Sequence, residues 1–302
     1  MTLTAILLLV VSAGTHAGWN LLGKRNNPNA ASFLVASVVG ILLLLPCAVA
    51  YREAIGYFSR SSALLVVIAG LFQATYYVSL AGAYRTGHMS IAYPLARSGP
   101  VAFVTVVSVV LGRSDQIGRQ CLIGIILIVA GAFLLPMRRF GEFRLRNYVN
   151  ISCLFALLAA VGTTGYSMVD DEALRLLREA PNASLPSWQI TLVYVFLEAL
   201  SSTFWLLLFI VGRKQERHTL RQVMTTRFPS AMFMGIGIYL TYSLVLISMA
   251  FVTNVSYVVA FRQLSIPLGV LLGVWLLKEP AYRPKLAAVI IMFIGLMLVG
   301  TG

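Results

Sequence analysis

Residues 30–50 read AASFLVASVVGILLLLPCAVA, twenty-one in a row without a charged side chain. At 1.5 Å of rise per residue, about 20 apolar residues cross the roughly 30 Å hydrocarbon core of a bilayer. In lipid each backbone N–H and C=O must be bonded inside its own segment, so such a run is read as a membrane-spanning helix. It carries no polar stripe and is expected to face lipid.

Comparable runs follow on both sides of it. The candidate spans are about 3–22, 30–50, 62–84, 88–111, 117–137, 148–169, 188–212, 229–250, 254–277 and 285–301, ten in all. The 302 residues are 59% hydrophobic and 11% charged, with mean hydropathy +0.86. A soluble domain carries about a quarter charged residues. The ten-residue alternating segments of a transmembrane barrel do not occur. The expected class is therefore an all-α integral membrane protein. The segment MTLTAILLLVVSAG at the start lacks a basic leader region and reads as a retained first span. Cys47, Cys121 and Cys153 fall inside apolar runs and read as buried thiols; an odd count gives no disulfide framework. Only two connections are long, 170–187 (DDEALRLLREAPNASLPS) and 213–227 (RKQERHTLRQVMTTR).

The net charge of +13 would suggest a nucleic-acid partner in a soluble chain. Here the cations flank apolar runs, which is the pattern of membrane topology, and no nucleic-acid partner is expected. Of 23 Lys and Arg, fifteen fall in odd-numbered loops and six in even-numbered ones. This bias puts the odd loops in the cytoplasm and both termini outside, in a plasma (inner) membrane.

The halves resemble one another weakly. A shift of 165 pairs Gly70 with Gly235, Tyr77 with Tyr242, Arg97 with Arg262, Leu111 with Leu276 and Arg113 with Lys278. A shift of 147 pairs GWN (18–20) with GYS (165–167), and one of 167 pairs Pro100 with Pro267. Five spans per half is an odd number, so the second half enters the membrane upside down. Inverted repeats are a transporter design with the substrate site near the midplane.

Polar side chains recur at helical spacing on particular spans. Span 1 carries Ser12, Thr15, His16, Trp19 and Asn20; span 3 Gln73, Tyr76, Tyr77 and Tyr84; span 4 Ser90, Tyr93 and Arg97. The second half answers with Thr163, Tyr166, Ser167 and Asp170, then Tyr239 and Tyr242, then Tyr257, Phe261 and Arg262. Tyr and Ser can simply bond between packed helices. Six spans with the same pattern favour a polar, aromatic-lined cavity between spans 1, 3, 4, 6, 8 and 9.

Arg97 and Arg262 lie within otherwise apolar runs. A cation at mid-span costs about 2.5–3.5 kcal/mol on insertion scales, and arginine does not give up its proton. Either each guanidinium bonds helix carbonyls or an acid and holds the fold, or at least one clamps an anionic substrate group, a carboxylate or phosphate. Glu198 is the acid well inside a span; Asp170 and Asp171 are expected near the end of span 6, and Glu279 just past span 9. His16, Glu198 and Asp170 are candidates for proton coupling, His16 also for simple packing. Pro94, Pro100 and Pro267 are expected to kink spans 4 and 9 beside the arginines. Gly124 with Gly131, and Gly295 with Gly300, are expected to allow close packing of spans 5 and 10.

No phosphate-binding loop, metal spacing or nucleophile constellation occurs, so neither cofactor nor metal nor enzymatic activity is expected. With these residues in view, the chain resembles the drug/metabolite transporter superfamily, specifically its EamA-type branch. The resemblance rests on HAGWNLLGKR (16–25), YPLAR (93–97), YSMVDDEALR (166–175) and FRQLSIPLGVLLGVWLLKEP (261–280). It implies ten helices as two inverted five-helix repeats, over 1–140 and 147–302, around a central cavity. It also implies secondary transport, often export, of amino acids or other small metabolites. Two features depart from the family pattern: GRSDQ (112–116) has Ser114 at the register of Glu279, and relatives are expected to have cytoplasmic termini. The functional expectation is a secondary transporter of a small polar metabolite, amino-acid-like or another organic anion, working by alternating access. The alternative is an integral-membrane enzyme acting on a lipid or isoprenoid. One chain supplies both repeats, so a monomer suffices, with a homodimer through spans 5 and 10 also open.

Overall fold

The computed structural model describes residues 1–23, 29–86, 89–141, 149–276, 278 and 280–301, with side chains at 19–23, 84, 89–94 and 114 excluded. The described residues form helices and turns, with no strand among them. The helices are α1 (Leu3–Gly23), α2 (Ala30–Ala50), α3 (Arg60–Thr86), α4 (Met89–Val110), α5 (Arg119–Leu134) and α6 (Ile151–Arg178). They continue as α7 (Ser187–Val211), α8 (Lys214–Thr226), α9 (Phe228–Ser248), α10 (Val255–Phe261), α11 (Ser265–Leu276) and α12 (Arg283–Thr301). Among the described residues, seven spans are long and apolar enough to cross a membrane: Ala30–Ala50, Arg60–Ala83, Ile151–Arg178, Ser187–Val211, Phe228–Phe251, Val255–Leu276 and Arg283–Thr301. Three shorter apolar stretches join them, Leu3–Gly18, Leu95–Val110 and Arg119–Leu134.

Asparagine starts three of the helices. Asn29, Asn150 and Asn254 each accept a backbone N–H of the first turn of α2, α6 and α10. A side-chain oxygen there satisfies a donor that the helix itself leaves free.

Four elements differ from the sequence reading. The stretch 170–187 is not mainly a loop, because α6 runs on to Arg178. Its charges pair along the helix, Arg175 with Glu172 and, at 3.0 Å, with Glu179, which supports helix where hydropathy alone predicts an end. Residues 213–227 hold the amphipathic α8, which buries Val223 and turns Lys214, Arg217 and Arg221 outward. Helix α2 does not face lipid all round. It exposes Val38, Leu42, Leu45 and Val49 but buries Phe33, Ser37, Gly40 and Leu44, since Gly40 leaves room for the Tyr239 ring. Span 9 is broken, but ahead of its proline. A 3₁₀ turn at Arg262–Leu264 separates α10 from α11, and Pro267 sits in the first turn of α11, where its missing N–H is harmless. Helix α4 is continuous through Pro100. Cys121 and Cys153 are buried as expected, while Cys47 is half-buried.

Packing is dense where glycines let backbones meet. Helix α3 lies along α6, α5 along α12, α1 along α9, and α2 against α7 and α9. A Cβ on Gly124 would stand 2.5 Å from the Gly295 carbonyl, and one on Gly295 would stand 2.6 Å from the Gly124 carbonyl. The glycine faces of α5 and α12 are thus used against each other within the chain. A Cβ on Gly70 would meet Ser201 Oγ at 2.1 Å, and one on Gly235 the Ala36 carbonyl at 2.6 Å.

Polar bonds tie the ends of α4 and α10 together. Ser108 meets Ser256 at 3.3 Å, Asn254 Nδ2 donates to Gln116 Oε1 at 3.2 Å, and the Gly118 N–H donates to the Tyr257 hydroxyl at 3.2 Å. Asn254→Ala removes a cap and this cross-link together. It is expected to cost about 1–2 kcal/mol, read as a lower melting temperature of the purified protein.

Candidate functional site

Two polar groups of residues lie inside the helical bundle. The first surrounds Arg97 and Arg262. The half-buried Arg97 on α4 donates from Nη2 to Ser265 Oγ at 2.7 Å, across to the first residue of α11. Its Nε is buried with no partner among the described residues. The break in span 9 is internally satisfied: Ser265 Oγ donates to the Arg262 carbonyl at 3.0 Å and Gln263 Nε2 to the Val259 carbonyl at 3.0 Å. Arg262 itself faces the hydroxyls of Tyr166, Tyr242 and Tyr76. His16 on α1 lies in the field of both Arg97 and Arg262. Among the described residues no carboxylate comes within ion-pairing distance of either arginine.

Aromatic rings form the wall beside them. Tyr166 meets Tyr76 and Tyr242 edge-on, each with ring centroids 5.9 Å apart, and Tyr76 tilts against Tyr77 at 5.3 Å. A patch of cations, a histidine and phenolic hydroxyls offers many hydrogen-bond donors and little negative charge. Its chemistry suits an anionic group.

The second group is acidic. Asp170 is fully buried on α6, about two turns before the helix ends. One of its oxygens accepts from the Tyr194 hydroxyl at 2.7 Å, the other from the Tyr242 hydroxyl in a very short bond. Asp170 also lies in the field of Arg262, so it is the link between the two groups. Deeper among α2, α3, α7 and α9 sit Gln73, Tyr77, Glu198 and Tyr239, all buried. Gln73 Nε2 donates to the Tyr77 hydroxyl at 2.9 Å, and Tyr77 stacks on Phe33.

Asp170→Ala leaves two buried phenols without their acceptor. At about 1–3 kcal/mol for each orphaned group, the variant is expected to melt well below wild type, while Asp170→Asn, which keeps an acceptor oxygen, loses less. Equal melting of the two variants would contradict this account.

The structure thus brings His16, Arg97, Arg262, Tyr76, Tyr166 and Tyr242 to one place, and Gln73, Tyr77, Tyr239 and Glu198 to a second. Tyr257 stands apart, tied to Gly118 at the α4–α10 junction. The side chains of Trp19, Asn20, Tyr84, Ser90, Tyr93, Pro94 and Ser114, and residues Lys24, Arg25, Arg144, Arg146 and Glu279, lie outside the described residues. Sequence reasoning passed over Ser265, the partner of Arg97, and Tyr194, the partner of Asp170. Tyr194, Glu198 and Ser202 recur every fourth residue, a stripe on span 7 that was there to be read. Ser265 follows Arg262 by three residues and gives no signal of its own.

No family model matches the chain, and no curated protein does. A solved structure, described only as the crystal structure of a protein, superposes with a TM-score of 0.67 at 15% identity, over 98% of this chain and 97% of that one. The likeness is one of overall fold alone, extending over nearly the whole of both chains.

Proposed function

We propose that this protein is a secondary transporter of a small organic anion, built as two inverted five-helix repeats that alternate access to a site containing Arg97 and Arg262. The observation that carries the reading is a pair of matching contacts. The shift of 165 that takes Gly70 to Gly235 also takes Ala36 to Ser201, and Gly70 packs on Ser201 as Gly235 packs on Ala36. The shift of 165 likewise turns the α3–α7 packing into α9–α2, and with the shift of 147 that relates α1 to α6 the α3–α6 packing becomes α9–α1. Helices α2 with α7, and α5 with α12, map onto each other and so keep their pairings. This is the arrangement expected of a two-fold axis in the membrane plane, the geometry on which alternating access rests.

Under that reading the seven long and three shorter apolar helices supply ten spans, with α10 and α11 together forming the ninth. The arginines sit on corresponding helices of the two repeats, each short of carboxylate partners. An anion entering between them exchanges its hydration shell for charge-assisted hydrogen bonds. The excess of basic residues in odd-numbered loops orients both termini outward in the plasma membrane.

Counterflow tests the function. Proteoliposomes loaded with an unlabelled carboxylate, phosphate ester or amino acid are diluted into the labelled compound, and transient accumulation of label marks a carrier. The expected result is accumulation with one or more anions and none in protein-free vesicles. A panel of anions giving no accumulation, with a lipid substrate being converted instead, would replace the carrier by the enzyme.

A further inference from the structure

Where α2, α3, α7 and α9 cross, five buried oxygen atoms have no hydrogen-bond partner among the described residues: Ser37 Oγ, Gln73 Oε1, the Tyr239 hydroxyl and both carboxyl oxygens of Glu198. The four residues are between 0% and 3% exposed. They stand together. The Tyr239 hydroxyl lies beside those of Ser37, Ser202 and Tyr77 and in the field of Glu198, without closing a bond of good geometry. Gln73 spends its amide N–H on Tyr77, which leaves its carbonyl oxygen over.

The charge around Glu198 is one-sided. Facing it are Asp170 on α6, Tyr194 on its own helix, Tyr77 on α3, and Tyr239 and Tyr242 on α9. Helix α2 presents Ser37. No cation is among these groups. Arg262 acts on Asp170, and Arg97 is bonded to Ser265. A carboxyl group withdrawn from water with neither hydrogen bonds nor a counter-ion is costly to keep charged. The unspent atoms are all oxygens, the hard ligands that small cations without d-electron preferences choose.

We propose that Glu198 anchors a monovalent-cation site, for a proton or a sodium ion, at the crossing of α2, α3, α7 and α9, separate from the arginine pair. The cation neutralises the acid and occupies oxygens that the protein leaves unpaired. Two of the helices come from the first half of the chain and two from the second, so occupancy bears on how the halves sit together. Asp170, bonded to Tyr194 and Tyr242 and facing Arg262, connects this site to the arginines. The role of the cation as a coupling ion rests on the transport reading above; its binding does not.

The test uses the full-length protein in detergent and needs no substrate. Thermal midpoints are measured in sodium chloride and in choline chloride at equal ionic strength. In sodium-free buffer, the infrared carbonyl band of a protonated carboxylic acid is followed with pH. A sodium-specific rise of several degrees that Glu198→Gln abolishes identifies a sodium site. A neutral-pH carboxylic-acid band that is missing from Glu198→Gln identifies a proton site. Equal midpoints in both salts, together with a band that is absent or survives in Glu198→Gln, overturn the proposal. If Glu198→Gln does not fold, Ser37→Ala takes its place. It removes one unpaired oxygen and keeps the acid, so it must change the sodium response or the band position; no change in either overturns the proposal. A carrier that fails in counterflow can still pass this test, and a working carrier can fail it.

Discussion

If the chain carries an anion as proposed, Arg97→Gln is expected to lower counterflow by about 10- to 100-fold, the factor that corresponds to a hydrogen bond to a charged group worth about 1.5–3 kcal/mol. Glutamine keeps a polar, uncharged side chain of similar reach, so the loss isolates the charge and the planar fork. Arg97→Lys is expected to recover only part of the rate, since an ammonium cannot bind two oxygens side by side. The decisive control is Ser265→Ala, which removes the 2.7 Å partner of Arg97 and leaves the cation in place. If Arg97 serves to hold α4 against the broken ninth span, the two variants lose stability and counterflow alike. If it serves the anion, Ser265→Ala retains counterflow. Arg262→Gln is expected to behave as Arg97→Gln does, with a further loss of stability because Arg262 also faces Tyr166, Tyr76 and Tyr242.

A large stability effect is also expected at Gly162. A Cβ there would stand 2.8 Å from Tyr76 N, 2.9 Å from the Phe72 carbonyl and 3.0 Å from Tyr76 Cα. All three are backbone atoms of α3, so no side chain can swing aside, and the helices must separate. Gly162→Val is expected to cost about 1–3 kcal/mol or more and to displace Tyr76 from Tyr166. Gly14 provides the contrast within the same protein: a Cβ there meets nothing within 4 Å. Gly14→Ala is expected to be neutral or to stabilise by up to about 0.5–1 kcal/mol through the conformational freedom removed from the unfolded chain. Melting temperatures of the two variants, measured in one detergent, check both expectations. Gly162→Val melting with wild type would mean that α3 and α6 are less tightly joined than described.

The helices were readable because hydrophobic length is a local property. The run at 30–50 and the run at 188–212 need no partner to be recognised. Features that depend on partners were harder to see. Hydropathy ended span 6 near Asp170, but the i,i+3 and i,i+4 pairing of Glu172, Arg175 and Glu179 carries the helix on, and Asp170 is buried as a result. Helix α2 looked uniform because the meaning of Ser37 and Gly40 comes from Tyr239, some two hundred residues away. Arg97 and Arg262 stood out at once, since a cation in an apolar run is conspicuous. Their surroundings did not: Ser265 is an ordinary serine until α4 is laid beside it. The proline rule pointed to the right span but the wrong residue. Pro267 tolerates the first turn of a helix, and the break falls earlier, at Arg262–Leu264.

In mechanical terms, the fourth and ninth spans are unlike rods. Helix α4 is one continuous piece from Met89 to Val110, whereas α10 and α11 meet at a 3₁₀ joint. The bond from Arg97 to Ser265 is a strut laid across that joint. A ligand that drew the guanidinium to itself would unload the strut. Compliance would then rise at the ninth span alone, so the act of binding and the freedom to bend would be one event at one residue.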